Sequence, residues 1–429
     1  MTFPHILEEF VAHKGNPSPL LHNITKRQKK IFAVILLLIL AAAVILYIIF
    51  WQPIIDIQPQ PKDAQISIDG HKAIGKIRTT PGVHKIKISA SGYIDWEKSI
   101  KMSLGSRQTV SPALKKLPVA KTLVAFESQF LVSGRPGMDD LIYLSNSGKT
   151  IFATFPNLEK DGKALVTNLT ADVFSGVKNL IYSSDRQLAI YQTSQGTTLF
   201  DFHRYDLVSQ TSSFWNNLIG DIVFSPDSSQ VLYYYADPQT GEKSLIKATN
   251  GNQNMERVAD LREQNLQNPQ LVWSADGKKA LIVEKDVYIF DIYTKTLSKI
   301  TDLGNISEAT FTPDSQKILY FSRSPDPTAS IDTILAIMEQ DGKNKKDLGV
   351  RTSLEKMVIT KDSQRAYADT GEGLFKINLI TGEKLALTYD GKISAQNLVL
   401  SSDEKKLYLT EDKTCYIMEL EIATKEESY

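Results

Sequence analysis

The sequence predicts an all-β protein behind a single N-terminal transmembrane helix, with a small β module followed by a larger β-propeller. Three observations predict this organisation. Residues 31–50 form an unbroken apolar run, residues 54–117 contain short segments that alternate apolar and polar side chains, and residues 182–403 repeat one turn motif every 38 to 49 residues. Repeats of that period in a β-rich sequence are typical of propeller blades.

The apolar run Ile31–Phe50 contains no charged residue, glycine or proline. A helix of about 20 residues covers roughly 30 Å, the thickness of the hydrocarbon core, and satisfies its own backbone hydrogen bonds there. Four basic residues come directly before the run: Lys26, Arg27, Lys29 and Lys30. Because cytoplasmic flanks carry the excess of Lys and Arg, we expect a single-pass protein of the cell membrane. Residues 1–30 would be a cytoplasmic tail, and the C-terminal ectodomain would be extracytoplasmic.

A cleaved signal peptide is the competing interpretation of this run. Its apolar region would be about 7–15 residues long and would end at a small-residue cleavage site. Here Ala41, Ala42 and Ala43 lie in the middle of the run, and Trp51-Gln52-Pro53 follows it. The sequence therefore favours an uncleaved anchor at residues 31–50.

Charge is unevenly distributed although the formal net charge is zero. Residues 54–117 carry 11 Lys or Arg and five acidic residues, whereas residues 118–429 carry 33 and 42. The basic module favours an anionic lipid or wall polymer as partner, with a solvated strand face as the alternative. The residues expected to contact such a partner are Lys72, Lys76, Arg78, Lys85 and Lys87. No basic stretch is interleaved with aromatic residues, so no nucleic acid partner is expected.

Short alternating segments predict the strands of the module at residues 54–117. An Asp69-Gly70 turn should follow the first of them. The module is expected to contain, in order, an extended stem at Ile54–Pro61 and strands at Gln65–Ile68, Val83–Ser89, Ile94–Met102 and Gln108–Val110.

This module resembles the PEGA domain. The matching stretches are Ala64–Gly70, Thr80–Ile88, Gly92-Tyr93, Gly105, Thr109-Val110 and Leu114. The Pro-Glu-Gly-Ala signature itself is absent, and Thr80-Pro81-Gly82 merges two turns that are separate in the family. The resemblance implies a β-sandwich-like spacer or adhesion module outside the cytoplasm, and it names no ligand.

The repeat marker consists of an apolar residue, two small or polar residues and an aspartate. It occurs at Tyr182–Asp185, Phe224–Asp227, Trp273–Asp276, Phe311–Asp314, Ile359–Asp362 and Leu400–Asp403. Each marker is followed by an apolar segment that predicts the next strand, such as Val231–Tyr235. An aspartate in such a turn accepts backbone N–H groups from two residues further on. We therefore expect these six aspartates to close turns and not to act as active-site carboxylates.

The marker Phe224-Ser225-Pro226-Asp227 and the later Asp291-Ile292-Tyr293-Thr294 turn resemble the TolB-like or WD-repeat-like β-propeller family. The resemblance covers residues 182–429 and implies four-stranded blades arranged around a central channel.

Residues 118–180 fit the repeat less well. Strands expected at Leu141–Leu144 and Thr150–Ala153 indicate a further blade, and Phe126-Glu127-Ser128 could be its decayed marker. Val119–Val124 could close the ring against the last blade, whose own fourth strand is missing after Leu420. The propeller at residues 118–429 is therefore predicted to have seven four-stranded blades, with six or eight as alternatives.

Few residues of the propeller suggest chemistry. His203 is its one histidine, so a multi-histidine metal site is excluded there and a Ser-His-Asp triad could use only that residue. No nucleophile-elbow, zinc-protease or phosphate-binding glycine motif occurs in the sequence. Cys415 lies in an apolar run and is expected to be a small buried hydrophobe. We therefore assign no catalytic, cofactor-binding or metal-binding residue and expect no cofactor.

Two functions from different classes fit this organisation. The first is a membrane-anchored extracytoplasmic binding or scaffold protein, not an enzyme, whose propeller is presented to a protein, peptide or wall-polymer partner. The second is an exported propeller hydrolase or lyase acting on polysaccharide or peptide, for which the propeller's 42 acidic residues could supply a carboxylate pair. Acidic and aromatic residues lining the channel would favour the second function. A flat apolar or charged face would favour the first.

Overall fold

The computed structural model describes residues 26–124, 129–135, 138, 140–145, 147–160, 163–195, 199–216, 218–323, 333–387, 394–412 and 414–420. The chain divides into two compact units, Met1–Lys115 and Lys116–Tyr429. Most of the predicted tail, residues 1–25, lies outside the described residues, as does the decayed marker at residues 126–128.

Among the described residues, the helix α1 (Lys26–Phe50) comes before the strands of unit 1. It begins within the basic flank and contains the whole predicted span. The described apolar side chains along it are exposed, including 71% of Leu37 and 67% of Phe32. Counted over its described residues, no helix of the protein is long and apolar enough to cross a membrane. The transmembrane span at residues 31–50 stays a prediction.

Unit 1 continues with two small sheets. Its strands are β1 (Ile54–Ile57), β2 (Gln65–Ile68), β3 (His71–Ala73), β4 (Lys76–Arg78), β5 (Gly82–Ser89), β6 (Trp96–Met102) and β7 (Arg107–Val110). One sheet has the order β4-β1-β7, with β1 antiparallel to β4 and parallel to β7. The other has the order β3-β2-β5-β6 and is antiparallel throughout.

Both sheets of unit 1 contribute to one apolar core. Ile55 of β1 and Ile86 and Ile88 of β5 are completely buried in it. The expected extended stem at Ile54–Pro61 is wrong, because β1 lies within it and is the middle strand of its sheet. An Ile-x-Ile pair in a short segment gave too little periodicity to distinguish a buried strand from a linker.

A buried histidine ties the turn after β2 to strand β5. Nδ1 of His84 lies 2.7 Å from Oδ2 of Asp69, and Nε2 lies 2.7 Å from the carbonyl oxygen of Thr80. Both of these partners only accept hydrogen bonds, so both ring nitrogens donate to them only when the ring is protonated. The hydrogen bond that His84 donates to Asp69 raises the pKa of His84 although burial opposes the shift, and the same bond lowers the pKa of Asp69.

Unit 2 consists of strands and their connections. Its strands are β8 (Ala120–Val124), β9 (Gln129–Ser133), β10 (Leu141–Ser145), β11 (Thr150–Lys160), β12 (Lys163–Asn168), β13 (Val177–Tyr182), β14 (Leu188–Gln195), β15 (Leu199–Asp206), β16 (Thr211–Asn216), β17 (Ile219–Phe224), β18 (Gln230–Asp237), β19 (Glu242–Thr249), β20 (Glu256–Asp260), β21 (Gln270–Trp273), β22 (Lys279–Glu284), β23 (Asp286–Asp291), β24 (Leu297–Lys299), β25 (Ile306–Phe311), β26 (Lys317–Arg323), β27 (Thr333–Glu339), β28 (Lys346–Arg351), β29 (Met357–Ile359), β30 (Arg365–Asp369), β31 (Leu374–Asn378), β32 (Lys384–Ala386), β33 (Asn397–Leu400), β34 (Lys406–Glu411) and β35 (Thr414–Glu419). A short 3-10 turn at Arg262–Gln264 follows β20.

The described residues of unit 2 form seven four-stranded antiparallel sheets. In chain order they are sheet 1 (β9–β12), sheet 2 (β13–β16), sheet 3 (β17–β20), sheet 4 (β21–β24), sheet 5 (β25–β28), sheet 6 (β29–β32) and sheet 7 (β33–β35 with β8). The strand β8 pairs with β35, with Ala120 opposite Met418 and Thr122 opposite Tyr416. The expected closure of the last sheet by residues 119–124 is therefore confirmed.

Each sheet packs on the next through its own apolar core, and sheet 7 packs on sheet 1 in the same way. Leu281 of β22 belongs to the core shared with sheet 5, whereas its neighbour Ile282 belongs to the core shared with sheet 3. A strand that is covered on both faces has a continuous apolar sequence. This explains why all four residues of Ala280–Val283 are apolar. The closed ring of sheets confirms the predicted β-propeller.

We predict that the hydrogen bonds from His84 to Asp69 and Thr80 weaken as the pH rises. The pKa of His84 is raised above 6.5, so its contribution is complete below about pH 6.5 and is lost as the pH rises through the higher folded value. Hydrogen-exchange protection of the Asp69 and Lys85 amides should fall over that range in the full-length protein. His84→Gln should lower the protection at pH 6 and remove its pH dependence. Unchanged protection in that variant would show that these hydrogen bonds do not hold the turn after β2 to strand β5.

Candidate functional site

The six markers lie between the first and second strands of sheets 2 to 7. Because consecutive strands are antiparallel, the turns from first to second strand and from third to fourth strand lie at the same face of the propeller. We call it the marker face. The first strands of neighbouring sheets contact one another around the axis, as β33 and β9 do. The markers therefore surround the mouth of the central channel.

Each marker turn is closed by a hydroxyl and a carboxylate. In the second marker, Ser225 is buried, and its hydroxyl donates to Oδ1 of Asp227 over 2.5 Å and accepts the N–H of Gln230 over 2.9 Å. Oδ1 of Asp227 also accepts the N–H of Ser229 over 3.1 Å. The hydroxyl of Ser225 lowers the pKa of Asp227, so this carboxylate is ionised at neutral pH.

The same two contacts recur in all six markers. The hydroxyl lies 2.5 to 2.7 Å from the carboxylate. The N–H two residues after the aspartate lies 3.0 to 3.1 Å from it. The prediction that these aspartates close turns is confirmed. The buried hydroxyl was missed, although a Ser or Thr two residues before every marker aspartate was visible in the sequence.

The residue after each marker aspartate has left-handed backbone geometry, with φ between 57° and 75°. Its side chain points back to the preceding sheet in several markers. Oγ of Ser315 in sheet 5 accepts the N–H of Asp276 in sheet 4 over 3.1 Å, and Oγ of Ser363 in sheet 6 accepts the N–H of Asp314 over 2.9 Å. Ser228 and Glu404 make the corresponding contacts from sheets 3 and 7. We call these contacts the inter-sheet links.

Sheet 4 has Gly277 at the linking position, and its junction with sheet 3 is crossed by a carboxylate contact of the kind that Glu308 also makes between sheets 5 and 6. Oδ2 of Asp221 on β17 accepts the N–H of Leu271 on β21 over 2.7 Å. Burial raises the pKa of Asp221 to about 6. This junction is therefore also held by a hydrogen bond that the backbone of one sheet donates to a side chain of its neighbour.

Sheet 1 has no marker, and the described residues at that place are Gly134, Arg135, Met138 and Asp140. The side chain of Asp140 is fully buried, and its Oδ2 accepts Nη2 of Arg135 over 2.7 Å and Nε over 3.0 Å. Its Oδ1 accepts the Arg135 backbone N–H over 2.9 Å. A Cβ on Gly134 would lie 1.8 Å from Oδ1 of Asp140. Only glycine allows this approach, so these contacts hold Arg135 in a fixed position.

Arg186, the linking residue of sheet 2, reaches across to sheet 1. Its Nε donates to the Ser133 carbonyl over 2.9 Å, its Nη2 to the Ser133 hydroxyl over 3.3 Å and its Nη1 to the Ser183 carbonyl over 2.8 Å. All of these acceptors are neutral. Burial lowers the pKa of Arg186, and Asp185 and Asp140 are nearby charges that oppose the shift. The guanidinium is therefore largely desolvated without a direct carboxylate partner.

A cavity of about 510 Å³ opens at the junction of sheets 7 and 1 on the marker face. We call it the mouth cavity. Residues from sheets 6, 7, 1 and 2 line it, and the charged ones are Arg135, Asp140, Arg186, Lys361 and Glu404. Its walls are apolar further in, where the first strands β9 and β33 contribute Leu131 and Val399. The cavity is suited to binding a polar or charged group above an apolar floor.

The residues considered for chemistry in the sequence lie away from the mouth cavity lining. The ring of His203 stacks on Tyr191 at 5.0 Å and meets Phe214 edge-on at 5.6 Å, and burial lowers its pKa. Cys415 is 2% exposed, as expected for a small buried hydrophobe, and burial raises the pKa of its thiol to about 12. Among the described residues, no group of three His, Cys, Asp or Glu could hold a metal ion.

The structure separates the five basic residues that were expected to act together in unit 1. Lys85 pairs with Glu97 over 2.6 Å, and Lys87 pairs with Asp95 over 2.9 Å. Lys72, Lys76 and Arg78 make no ion pair within the described chain, and they flank Ile74, which is 82% exposed. Only these three remain candidates for contact with an anionic surface.

Comparisons with known proteins give fold-level likeness only. No known family matches the sequence, and no curated protein matches it. The solved structure of hydrazine synthase from Kuenenia stuttgartiensis is 12% identical, with a TM-score of 0.49 over 70% of this chain and 97% of that chain. Oligogalacturonate lyase from Vibrio parahaemolyticus is 12% identical, with a TM-score of 0.47 over 70% and 91%. TolB from Acinetobacter baumannii is 18% identical, with a TM-score of 0.36 over 62% and 59%.

At these identities and TM-scores, the likenesses carry no argument about chemistry. The propeller is shown by the sheets of this chain itself. None of the three comparisons bears on the resemblance of unit 1 to the PEGA domain.

We predict that opening a marker turn or breaking an inter-sheet link destabilises the propeller. Asp314→Ala removes the acceptor of a buried hydroxyl and of a turn N–H, and such losses cost about 1–3 kcal/mol. The free energy of unfolding of the full-length protein in detergent should fall by that amount, and Ser363→Ala should also lower it. Asp302→Ala is the matched control, since that side chain is 88% exposed. A stable Asp314→Ala variant that no longer bound a partner would contradict the structural role.

Proposed function

We propose that this protein is a membrane-anchored extracytoplasmic binding protein whose propeller presents the mouth cavity to a protein, peptide or wall-polymer partner. The proposal rests on the mouth cavity. It opens where the ring of inter-sheet links has no marker, and it gathers charged side chains from four sheets. Ligand pockets are typically concave and mostly apolar, with a few convergent polar groups.

The proposed organisation has seven blades, one for each four-stranded sheet, and β8 closes the ring. Unit 1 would be a PEGA-like spacer, a role supported by its two sheets and single core. Membrane anchoring is supported by the apolar run within α1 and by the basic residues before it. Residues 1–30 would then face the cytoplasm, and unit 2 would lie outside it.

The alternative of an exported hydrolase or lyase comes second. A carboxylate pair for glycoside cleavage would have to be free to act on a substrate. Both acidic residues of the mouth cavity already accept hydrogen bonds from the protein, Asp140 from Arg135 and Glu404 from the Lys361 backbone N–H. No described feature of the cavity favours catalysis over binding.

A single cysteine added at the mouth cavity tests topology and binding together. The native Cys415 is buried, so Ser402→Cys would carry the reactive thiol. A membrane-impermeant maleimide should label it in spheroplasts, because the propeller lies outside the cytoplasm. Labelling should be several-fold slower in native membranes than in purified protein, since the partner covers the cavity. Tyr293→Cys is the control, because Tyr293 is 75% exposed on a turn of sheet 4 at the same face.

Two results would contradict the proposal. If neither cysteine is labelled until the membrane is opened, the topology is wrong. If Ser402→Cys and Tyr293→Cys are labelled equally fast in native membranes and in purified protein, no partner occupies the mouth cavity.

A further inference from the structure

Two neighbouring cavities of the marker face share Arg135 and Arg186. One is the mouth cavity. The other has a volume of about 450 Å³, and its apolar lining consists of Leu169, Leu207 and Val208. We call the two cavities together the two-arginine groove. It extends from the channel mouth to the turn between the third and fourth strands of sheet 2.

The two arginines retain hydrogen-bonding capacity toward a ligand. A guanidinium has five N–H groups. Arg186 uses three of them on neutral oxygens, and Arg135 uses two on Asp140. The Arg135 side chain is 32% exposed. Two N–H groups of Arg186 and three of Arg135 therefore have no partner among the described residues.

The acidic residues of the groove are directed to internal donors. Asp140 is wholly buried against Arg135. Oδ1 of Asp185 accepts the Ser183 hydroxyl over 2.6 Å and the Gln187 N–H over 3.1 Å. Oε1 of Glu404 accepts the Lys361 N–H over 2.5 Å. Their negative charge is thus engaged within the turns, and the arginine N–H groups are the donors left for a ligand.

The larger cavity of about 740 Å³ between sheets 4 and 5 differs in this respect. Its Lys299 pairs with Asp286 over 3.0 Å and with Asp302 over 2.6 Å. Its Lys343 pairs with Asp341 over 2.7 Å. These two lysines are matched by carboxylates, and the third lysine of the lining, Lys279, donates to the amide oxygen of Gln340 with the Asp291 carboxylate close by. This cavity therefore offers no comparable preference for an anion.

An apolar surface adjoins the arginines in the groove. Val208 is 74% exposed, and Leu169 and Leu207 are half-buried beside it. A ligand that fills the groove must therefore carry an anionic group next to an apolar one. An extended peptide satisfies this requirement, because the side chains on one of its faces recur at every second residue, about 6.6 Å apart.

We propose that the two-arginine groove binds an extended acidic peptide segment, with a carboxylate between Arg135 and Arg186 and a neighbouring aliphatic side chain against Leu169, Leu207 and Val208. Planar guanidinium groups match carboxylates in bidentate geometry. This inference rests on the proposed binding function and names the chemistry of its partner.

A wall polymer with charge along its whole length fits less well. Residues 118–429 carry 33 basic and 42 acidic residues, and an acidic surface repels such a polymer outside the groove. Its repeated charges would also lie against the apolar end of the groove. A peptide with one or two carboxylates avoids both penalties.

The test is selection of phage-displayed random peptides on the full-length protein in nanodiscs. Selected peptides should be enriched in Asp or Glu with Leu, Ile, Val or Phe nearby. A synthetic copy of a selected peptide should bind the protein about tenfold more tightly than its Glu→Gln or Asp→Asn version, as expected for a charge-assisted contact.

Two variants of one exposed residue keep the test independent of folding. Val208→Glu should weaken the acidic peptide about tenfold through like-charge repulsion, whereas Val208→Lys should retain or strengthen it. Arg186→Gln should remove the preference for the acidic version. Lys343→Gln, a charge removal at the same face but outside the groove, should change nothing.

The inference is overturned if the selected peptides show no enrichment in Asp or Glu. It is also overturned if Val208→Glu and Val208→Lys bind the selected peptide equally, or if soluble teichoic acid binds in a way that depends on Arg186 and the peptide does not. Failure of the proposed function is distinguishable. In that case Ser402→Cys labelling stays the same in native membranes and purified protein. If only the inference fails, the labelling difference persists without a preference for acidic peptides.

Discussion

The propeller depends on one recurring contact, in which the residue after a marker aspartate accepts a hydrogen bond from the backbone of the preceding sheet. The left-handed backbone at that residue aims its side chain across the junction. The buried hydroxyl and the aspartate before it fix the turn that makes this geometry possible. Apolar cores supply most of the stabilisation between sheets, because burial is the dominant favourable contribution to folding. The links determine how neighbouring sheets are aligned around the channel.

Among the described residues, the recurring contact is absent from sheets 4 and 1. At sheet 4, a glycine occupies the linking position, and a hydrogen bond from the Leu271 N–H to Asp221 crosses the junction with sheet 3. At sheet 1, the marker is absent, Gly134, Arg135 and Asp140 lie in its place, and the junction with sheet 7 is packed by apolar residues such as Tyr143 and Tyr408. The mouth cavity opens at this junction. Departure from an otherwise consistent local pattern is expected at functional sites, and here it coincides with two arginines.

Arg186 occupies a structural position, and we propose that it also contacts a ligand. It occupies the same turn position as Ser228, Ser315 and Ser363, yet it donates hydrogen bonds where those serines accept them. Its burial and neutral partners leave its charge only partly compensated. Serine at this position would preserve the turn, so the side chain was not required by the fold alone.

The sequence predicted the propeller well because its signals are local and repeated. The marker aspartates, the apolar second strands and the closing strand at residues 119–124 could all be read from short segments. Strand β1 could not be recognised, since its burial depends on a sheet formed with distant β4 and β7. The candidate site could not be predicted either. Lys361 lies 226 positions after Arg135 and 175 positions after Arg186 in the sequence. Only ring closure brings sheets 6 and 7 next to sheets 1 and 2.

We propose that the marker face at the junction of sheets 7 and 1 binds the partner. Site-specific photo-crosslinking in native membranes tests this binding surface. A benzophenone amino acid would replace Met138, which lines the mouth cavity and is 48% exposed, or Tyr293 or Gln239 as controls. We expect one discrete crosslinked product from position 138, which Val208→Glu should weaken, and none from position 239 at the turn between β18 and β19 on the opposite face. Equal products from all three positions, or a product from position 239 alone, would contradict it.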